Sequence, residues 1–306
     1  MKIIKNQKNK LIKIIFSIIS IGVLIFGIYL LNRYLIPRVD AKIANAKTEK
    51  TEEKYEVTEN AYKSNEIEIK IDKKEQGEGK DKVTYYIADI KIENPDRIKR
   101  AFAKDQVGIN IVEKMHDITS RNNAILAING DYYAFRKNGI IIGNSQIYRD
   151  VPAREGLAIY KDGTMKIYDE KSTTAENLIA DGVKETLSFG PVLVRDGKAD
   201  ANYQTYAVDD DNIIRGNIAI ENPRTGIGYY DKNHYCFIVV DGRREGYSKG
   251  VTLNEFAQIF EGLGCQLAYN LDGGNSANMY FMNKKVNISS QPGDGEREIS
   301  DILYIY

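Results

Sequence analysis

Hydrophobic residues are unevenly distributed along the chain, and the densest run lies near the N-terminus. The segment from Ile14 to Leu31 contains no charged residue and is long enough to cross a bilayer as a helix. Lysines stand at positions 2, 5, 8, 10 and 13, before the run, whereas only Arg33 and Arg38 follow it closely. The positive-inside rule therefore predicts a cytoplasmic basic segment (1–13), a transmembrane anchor (14–31) and an extracytoplasmic remainder in the cell membrane. A cleaved signal peptide remains the alternative, although its apolar core is usually shorter.

Residues 32–65 show a different pattern, with lysine and glutamate alternating and few large apolar side chains. Such a composition favours a solvated, charged stalk over a packed element. Large apolar residues become frequent again from Glu66. We therefore expect the folded domain to span residues 66–306.

Short strands separated by turn signals dominate the domain. Ile67, Ile69 and Ile71 alternate with charged residues, which predicts a half-buried strand, and a second strand is expected over 83–92. Two D-G dipeptides predict hairpins over 157–168 and 191–199, residues 227–230 and 235–240 resemble a strand pair, and further strands are expected at 125–128, 266–271 and 302–306.

Helical periodicity is limited to a few segments. Residues 109–121 have helical spacing, and T-x-x-E at Thr252–Glu255 predicts a capped helix that ends near Gly264. The predicted fold class is α/β of the α+β type: a β-rich mixed-sheet domain with two or three packing helices, preceded by one N-terminal transmembrane helix.

The composition argues against several classes of function. Basic and acidic residues are equal at 43 each, so no positive field favours nucleic acid. The two histidines, His116 and His234, lie far apart, which argues against a histidine metal cage or a Ser-His-Asp triad. Cys236 and Cys265 lie in apolar surroundings, and the sequence leaves a disulfide and two buried thiols equally open.

Polar clusters follow or precede several apolar strands, where a rigid sheet fixes them and a loop exposes them. They are N-G-D at 129–131, N-P-R-T at 222–225, D-G-R at 241–243 and N-L-D-G-G-N-S at 270–276. Each one alone is typical of an ordinary turn. The last is richer than a turn requires, because two glycines allow close backbone approach and successive N–H groups can bind an anion.

The ordered set of motifs resembles the phosphodiester glycosidase family over roughly residues 100–306. The set is N-G-D-Y-Y (129–133), F-G-P-V-L-V-x-x-G (189–197), N-P-R-T-G-I-G (222–228), V-V-D-G-R (239–243), S-x-G-x-T-L-x-E-x-A (248–257) and G-C-x-x-A-x-N-L-D-G-G-N-S (264–276). The resemblance implies hydrolysis of a sugar-1-phosphodiester of the GlcNAc-phosphate type, with no required cofactor. Asn275 and Ala277 depart from the Gly and Ser or Thr that family members often carry, which bears on sugar selectivity.

The motif residues then receive candidate roles. Arg224 and Arg243 suit a phosphate because a guanidinium stays charged and binds it in a bidentate manner. Asp131 and Asp272 are candidates for nucleophile or for the base that activates water, and Glu255 is a weaker third because helix capping already explains it. The remaining predicted substrate-binding residues are Asn129, Thr225, Asp241, Asn270, Gly273, Gly274 and Ser276.

Two other functions remain open at this point. A metal-dependent phosphodiesterase would use a divalent cation held by Asp131, Asp241 and Asp272. A non-catalytic glycan-binding or wall-assembly module would keep the fold without turnover. In each case the expected partners are a phosphate-linked sugar or cell-surface exopolysaccharide and, through the N-terminal helix, a membrane.

Overall fold

The computed structural model of the chain describes residues 2–43, 54–200, 203, 219–288, 290 and 296–306. These residues form two compact units, Met1–Arg38 and Val39–Tyr306. The first unit is almost entirely helix α1 (Lys2–Tyr34). Within α1, Ile12–Tyr34 is long and apolar enough to cross a membrane, and its large side chains are exposed, Phe16 by 67% and Leu24 by 63%. Because an apolar helix near the N-terminus is found both in membrane anchors and in signal sequences, this helix is one or the other.

The second unit is rich in strands. Its helices are α2 (Met115–Arg121), α3 (Ala175–Ala180) and α4 (Leu253–Gly262), and the strands are β1 (Arg38–Lys42), β2 (Glu56–Val57), β3 (Ala61–Lys63), β4 (Ile67–Gln76), β5 (Val83–Ile92), β6 (Ile98–Phe102), β7 (Gln106–Ile109), β8 (Leu126–Asn129), β9 (Gly139–Gly143), β10 (Gln146–Val151), β11 (Glu155–Tyr160), β12 (Met165–Asp169), β13 (Val183–Leu187), β14 (Val192–Arg195), β15 (Lys198–Ala199), β16 (Arg224–Asp231), β17 (His234–Val240), β18 (Leu267–Asn270), β19 (Met279–Phe281), β20 (Lys284–Lys285) and β21 (Asp301–Ile305). The predicted α+β class is confirmed.

Two antiparallel sheets form the centre of this unit. The larger has nine strands in the order β15-β14-β18-β16-β17-β5-β4-β3-β2, and the smaller has five in the order β20-β19-β8-β21-β6. Smaller sheets pair β1 with β7, β9 with β10, and β11 with β12 and β13. Antiparallel pairing allows short connections between consecutive strands, as the hairpins β11–β12 and β16–β17 illustrate.

The domain is layered as helix, sheet, sheet, helix. Ile69, Ile90 and Phe237 of the large sheet share one buried cluster with Ile128 and Leu303 of the small sheet. The outer face of the large sheet packs on α4 through Phe256 and Phe260, and the outer face of the small sheet packs on α2. Successive residues of a strand face opposite sides, so β17 supplies both interfaces of its sheet.

Most predicted elements of the domain are present in the structure. Both D-G hairpins form, as β11–β12 and β14–β15, and Thr252 and Glu255 form the predicted capping box at the start of α4. The helix predicted over 109–121 is confined to α2, because residues 106–109 pair as strand β7 and Glu113 bridges to Ile299. The backbone groups there form hydrogen bonds to other strands and not within a helix.

The boundary predicted between stalk and domain at residue 66 differs from the structure. Strand β1 pairs with β7, and β2 and β3 extend the nine-stranded sheet. Tyr62 on β3 is buried in the core between the sheets. The globular unit therefore begins at Val39, while residues 44–53 of the predicted stalk lie outside the described residues.

Cys236 and Cys265 are free, buried thiols whose Sγ atoms lie 3.6 Å apart. A Cβ atom on Gly228 would approach these two sulfur atoms to 2.6 and 2.7 Å. Glycine at this position therefore allows both thiols to pack against the sheet. Burial raises the pKa of the Cys236 thiol well above its ordinary value.

Candidate active site

Four strand ends meet at one edge of the paired sheets. In the large sheet, β16 lies between β17 and β18 and runs antiparallel to both. Its first residue, Arg224, pairs with Val240 at the end of β17, and its third residue, Gly226, pairs with Asn270 at the end of β18. The end of β8 in the small sheet joins this edge through Asn129, as the side-chain contacts below establish.

Asn129 connects the two sheets at this edge. Its side-chain oxygen accepts from the Thr225 hydroxyl at 2.7 Å and from the Asn278 backbone N–H at 3.1 Å. Its side-chain nitrogen donates to the Asp272 carbonyl at 2.6 Å. Because Asn129 and Thr225 are both buried, these bonds hold the backbone of Asp272 at a fixed position between the sheets.

Asp272 begins the turn that contains Gly273 and Gly274. Its backbone N–H donates to the Gly130 carbonyl at 3.2 Å, so the N-G-D and D-G-G motifs lie side by side. A Cβ atom on Gly273 would lie 2.6 Å from the Pro223 carbonyl oxygen, so a larger residue has no room there. Gly274 has a φ of +61°, which glycine adopts readily. The turn ends in a short 3-10 segment, Gly274–Ser276, in which Ser276 is buried.

The predicted anion nest is partly occupied by the protein itself. The Gly274 N–H donates to the Pro223 carbonyl at 2.9 Å. It is therefore not free for a phosphate oxygen, and the two glycines act here by allowing the turn to approach the Asn222–Pro223 segment closely.

Arg243 covers the outer side of this turn. Its guanidinium donates to the side-chain oxygens of Asn275 at 3.0 Å and Asn222 at 2.7 Å, and one of its nitrogens would lie 3.2 Å from a Cβ atom on Gly274. Both acceptors are neutral, and within the described residues Arg243 has no ion pair. The guanidinium is exposed, and it has further N–H donors next to Gly274 in the same turn.

Arg224 and Thr225 point to opposite faces of the sheet, as neighbours on a strand must. Whereas Thr225 faces Asn129, the Arg224 guanidinium is buried and donates to the carbonyl oxygens of Val251 at 3.1 Å and Ile220 at 2.5 Å. Burial, reinforced by the charge of Arg243, lowers the pKa of Arg224 to about 9. Arg224 therefore remains charged at neutral pH. Its hydrogen bonds fix the start of β16 on the face of the sheet that packs on α4.

Asp131 is enclosed. One carboxylate oxygen accepts from the Tyr132 N–H at 2.5 Å and from Arg136 at 2.6 Å, and the other accepts from the Ser188 N–H at 2.9 Å. Arg100 lies 3.8 Å away as a second cation. Although burial raises the pKa of Asp131, the two guanidiniums and the two backbone donors more than compensate, and the net pKa lies below the ordinary value.

Asp301 completes this buried charge cluster. Its carboxylate accepts from Arg100 Nε at 2.5 Å and from the Asp131 backbone N–H at 2.9 Å. Burial raises the pKa of Asp301 to about 6, although Arg100 opposes the shift. Sequence reasoning missed Arg100, Arg136 and Asp301, because none of them belongs to a turn motif. The only signal was the occurrence of charged residues within apolar strand patterns at positions 100 and 301.

Asp241 supports two loops. Its carboxylate accepts from Asn287 Nδ2 and from the Tyr247 hydroxyl, both at 2.8 Å, and from the Ile288 N–H at 3.2 Å. Its backbone carbonyl accepts from the Ser248 hydroxyl at 2.6 Å. Burial raises the pKa of Asp241 even though these donors oppose it. The loop that carries Arg243 and the loop after β20 are both fixed by this one side chain.

The remaining predicted residues occupy different environments. Glu255 accepts from the Thr252 N–H at 2.7 Å and the Thr252 hydroxyl at 2.8 Å, so its carboxylate is engaged in the helix cap. Asn270 is buried and donates to the Gly190 carbonyl at 2.8 Å. Its side-chain oxygen has no hydrogen-bond partner within the described residues. A buried acceptor of this kind is expected to bind water or a ligand atom.

The structure thus brings together Asn129, Thr225, Asp272, Gly273, Gly274 and Arg243. It separates from them the carboxylates of Asp131 and Asp241, each saturated by its own donors. Across the described part of the chain, no three His, Cys, Asp or Glu side chains are grouped as a metal site would require. The trio Asp131, Asp241 and Asp272 is consequently not assembled around one point.

Comparison with known proteins identifies the family of this chain. Residues 122–306 match the family model described as phosphodiester glycosidase, a region that runs from before β8 to the end of β21. Since the match spans more than half of the 306-residue chain, the chain belongs to the phosphodiester glycosidase family.

The chain spans less than a third of the length of the curated relative that it matches. The chain is 30% identical over 203 residues to the SPbeta prophage-derived uncharacterized protein YomE of Bacillus subtilis (strain 168), an alignment that covers 63% of this chain and 29% of that protein. The fold of this chain is similar to that of the zebrafish N-acetylglucosamine-1-phosphodiester alpha-N-acetylglucosaminidase catalytic domain. The TM-score is 0.62 at 18% identity, and the match covers 89% of this chain and 87% of that one. A hypothetical protein from Synechocystis is also similar, with a TM-score of 0.57, 14% identity and coverage of 78% and 62%.

Proposed function

We propose that this protein is a membrane-anchored, extracytoplasmic hydrolase that cleaves a sugar-1-phosphodiester linkage of the GlcNAc-phosphate type in a glycan or cell-surface polymer. The observation that carries the proposal is the assembly around Asp272. A carboxylate, an exposed arginine and amide and hydroxyl side chains from two sheets converge on one turn, within the region that matches the family. The arginine suits a phosphate, the amide and hydroxyl groups suit a sugar, and the carboxylate suits a reacting carbon.

The proposed reaction breaks the bond between the sugar C1 and the phosphate oxygen. The bonding electrons leave with the phosphate, which departs as a phosphomonoester, and a water oxygen becomes bonded to C1. Asp272 acts either as the nucleophile that first attacks C1 or as the base that takes the proton from water. Because a phosphomonoester is already a good leaving group, the reaction needs less general-acid assistance than ordinary glycoside hydrolysis.

Arg243 is proposed to bind the phosphate. Its two amide acceptors, Asn222 and Asn275, orient the guanidinium without neutralising it, so its charge is available to the dianion that forms as the bond breaks. Asn129 and Thr225 are assigned the positioning of the Asp272 backbone, since their side chains already bond each other and that backbone. Asp131 is assigned to maintaining the N-G-D turn through the ion pairs with Arg100 and Arg136.

The test is product identification with the full-length chain in detergent micelles. Methyl-phospho-GlcNAc is incubated with the protein, with and without EDTA, and the released species are identified by mass spectrometry. Free GlcNAc and methyl phosphate, formed equally with EDTA, are the expected products. Release of GlcNAc-1-phosphate that stops with EDTA would replace this proposal with a metal phosphodiesterase.

A matched pair of variants locates the chemistry. Asp272→Asn should reduce the rate by about 10³-fold, as loss of a base or nucleophile does. Asp196→Asn makes the same substitution in the exposed D-G turn between β14 and β15 and should leave the rate unchanged. Binding of the ligand without any product from the wild-type chain would instead identify a glycan-binding module.

The proposed orientation places the N-terminus in the cytoplasm. The lysines before the apolar run support it, as does the long apolar helix that is the one candidate membrane span among the described residues. Protease treatment of intact cells tests it, because digestion of the folded domain is expected only if that domain is outside. A mature chain that lacks the N-terminal helix would instead indicate a cleaved signal sequence.

A further inference from the structure

An arginine outside all of the sequence motifs stands over an aromatic pair next to the proposed site. Tyr132 and Phe135 stack with their ring centroids 4.5 Å apart and an interplanar angle of 29°. The guanidinium carbon of Arg297 lies 5.7 Å from the Tyr132 centroid and 5.6 Å from the Phe135 centroid. Phe189 packs into the same cluster. An arginine at these distances from two rings is attracted to them by cation–π interaction.

The position of this cluster is fixed by the backbone around the active-site turn. Tyr132 lies two residues after Gly130, whose carbonyl accepts from the Asp272 N–H. On the other side, Ile299 exchanges two backbone hydrogen bonds with Glu113, at 2.9 and 3.0 Å, and the Tyr133 hydroxyl donates to the Ser300 carbonyl at 3.2 Å. The segment that carries Arg297 is therefore anchored to the turn that neighbours Asp272.

The ion pairing of Arg297 decides how much of its charge is available to a ligand. Within the described residues this arginine makes no ion pair, although Glu296 and Glu298 flank it in sequence. Glu296 instead accepts from the Tyr280 hydroxyl at 2.8 Å. Both rings lie on one side of the guanidinium carbon, and a guanidinium binds a bidentate acceptor through its N–H groups. A phosphate oxygen pair is such an acceptor.

We propose that Arg297, supported by Tyr132 and Phe135, forms a second anion subsite that binds a phosphate other than the one being cleaved. The substrate class that this subsite selects is a glycan with repeated phosphodiester groups. In such a chain, Arg243 binds the phosphate at the cleaved bond while Arg297 binds the phosphate of the adjoining unit. The inference deepens the proposed function and rests on it for the identity of the cleaved bond.

The experiment compares two ligands that differ in the number of phosphates. Methyl-phospho-GlcNAc carries one phosphodiester, and a synthetic dimer of GlcNAc-1-phosphate that ends in a methyl phosphodiester carries two. Full-length wild type, Arg297→Ala, Arg297→Lys and a control, Lys166→Ala, are assayed in detergent micelles. Lys166 also stands over an aromatic ring, that of Tyr160 at 4.8 Å, but on strand β12.

Arg297→Ala should raise the KM for the two-phosphate ligand by about tenfold, which is the loss of one charge-assisted contact, and should change the one-phosphate KM by less than about twofold. The kcat should stay unchanged for both ligands, because Arg297 does not contact the reacting atoms. Arg297→Lys should lie between wild type and alanine, since it keeps the charge but loses the planar edge. Lys166→Ala should match wild type throughout.

Equal KM changes for the two ligands, or no change for either, would overturn the subsite. Calorimetric binding of both ligands to Asp272→Asn and to Asp272→Asn/Arg297→Ala separates this inference from the proposed function. If the wild type hydrolyses neither ligand while the two-phosphate ligand still binds in an Arg297-dependent manner, the proposed function fails and the subsite stands. If binding of the two-phosphate ligand does not depend on Arg297, the subsite is refuted whatever the activity.

Discussion

Asp131 and Asp272 occupy nearly equivalent places in the sequence and opposite environments in the structure. Each follows a short apolar strand that ends in asparagine, β8 or β18. Asp131 lies fully buried between Arg100 and Arg136, with both carboxylate oxygens bonded. Asp272 is only partly buried and begins a turn under the exposed Arg243. The comparison teaches that two strand-end carboxylates with similar sequence contexts can differ in burial and in the charges that surround them, and it is the basis for proposing a reactive role for Asp272 alone.

The largest expected effect is a difference in unfolding free energy between alanine variants of Asp131 and Asp272. Asp131→Ala should lower the free energy of unfolding by about 3–5 kcal/mol, because it leaves two buried guanidiniums without their shared carboxylate. Asp272→Ala should lower it by less than about 1 kcal/mol, as for a partly exposed turn residue, while it removes activity. Urea unfolding of both full-length variants, followed by tyrosine circular dichroism, measures the difference. Equal destabilisation would remove the distinction between the two sites.

Asp241 is expected to have a structural role like that of Asp131. Asp241→Ala should cost about 2–3 kcal/mol of unfolding free energy, because the Asn287 amide and Tyr247 hydroxyl lose their buried acceptor. Tyr247→Phe removes a single donor and should cost about 1 kcal/mol. Both values come from denaturant unfolding. An Asp241→Asn variant with wild-type stability and no activity would instead move Asp241 to the reactive group.

The buried cluster should also show a specific pH dependence. The pKa of Asp301 is raised from 3.8 to about 6, so the folded state binds its proton more tightly than the unfolded state. Its stabilising contribution is complete below pH 3.8 and is lost as the pH rises through about 6. The unfolding free energy of wild type relative to Asp301→Asn should therefore fall by about 2 kcal/mol between pH 4 and pH 7. A difference that is independent of pH would show that Asp301 stays ionised beside Arg100.

The smallest expected effect concerns the third carboxylate candidate. Thr252→Ala should cost about 1 kcal/mol of stability through loss of the helix cap, with activity retained. Glu255→Gln keeps an acceptor in the capping box and should change both stability and rate only slightly. The assay is hydrolysis of methyl-phospho-GlcNAc alongside thermal unfolding. A rate loss of about 10²-fold or more in Glu255→Gln would assign it a direct role in proton transfer.

Local patterns predicted the local elements well. The D-G hairpins, the strand pair β16–β17 and the capping box of α4 each depend on residues that are near one another in sequence. The late start of α2 at Met115 and the early start of the domain at Val39 were not predicted, because β1 and β7 pair although they are far apart in the sequence. Pairing between distant strands leaves little periodic signal in either one.

The site was predicted in part for the same reason. The motifs supplied Asn129, Thr225, Asp272 and Arg243, whose contacts the structure brings together. Arg100, Arg136 and Asp301 come from segments without a turn motif, so their convergence on Asp131 could be found only from coordinates. Arg297 was missed because its significance depends on Tyr132 and Phe135, which lie more than 150 residues earlier.

The sequence by itself determined the long apolar helix, the strand-rich α+β class, the ordered motifs of the family and the residue types able to bind phosphate. These properties depend on composition and on spacing within short segments. Only the tertiary structure decided which carboxylate is enclosed by cations, which arginine stays exposed and which side chains meet across the two sheets. Burial and electrostatic environment are set by residues distant in the chain, and a carboxylate has no fixed role until those neighbours are in place.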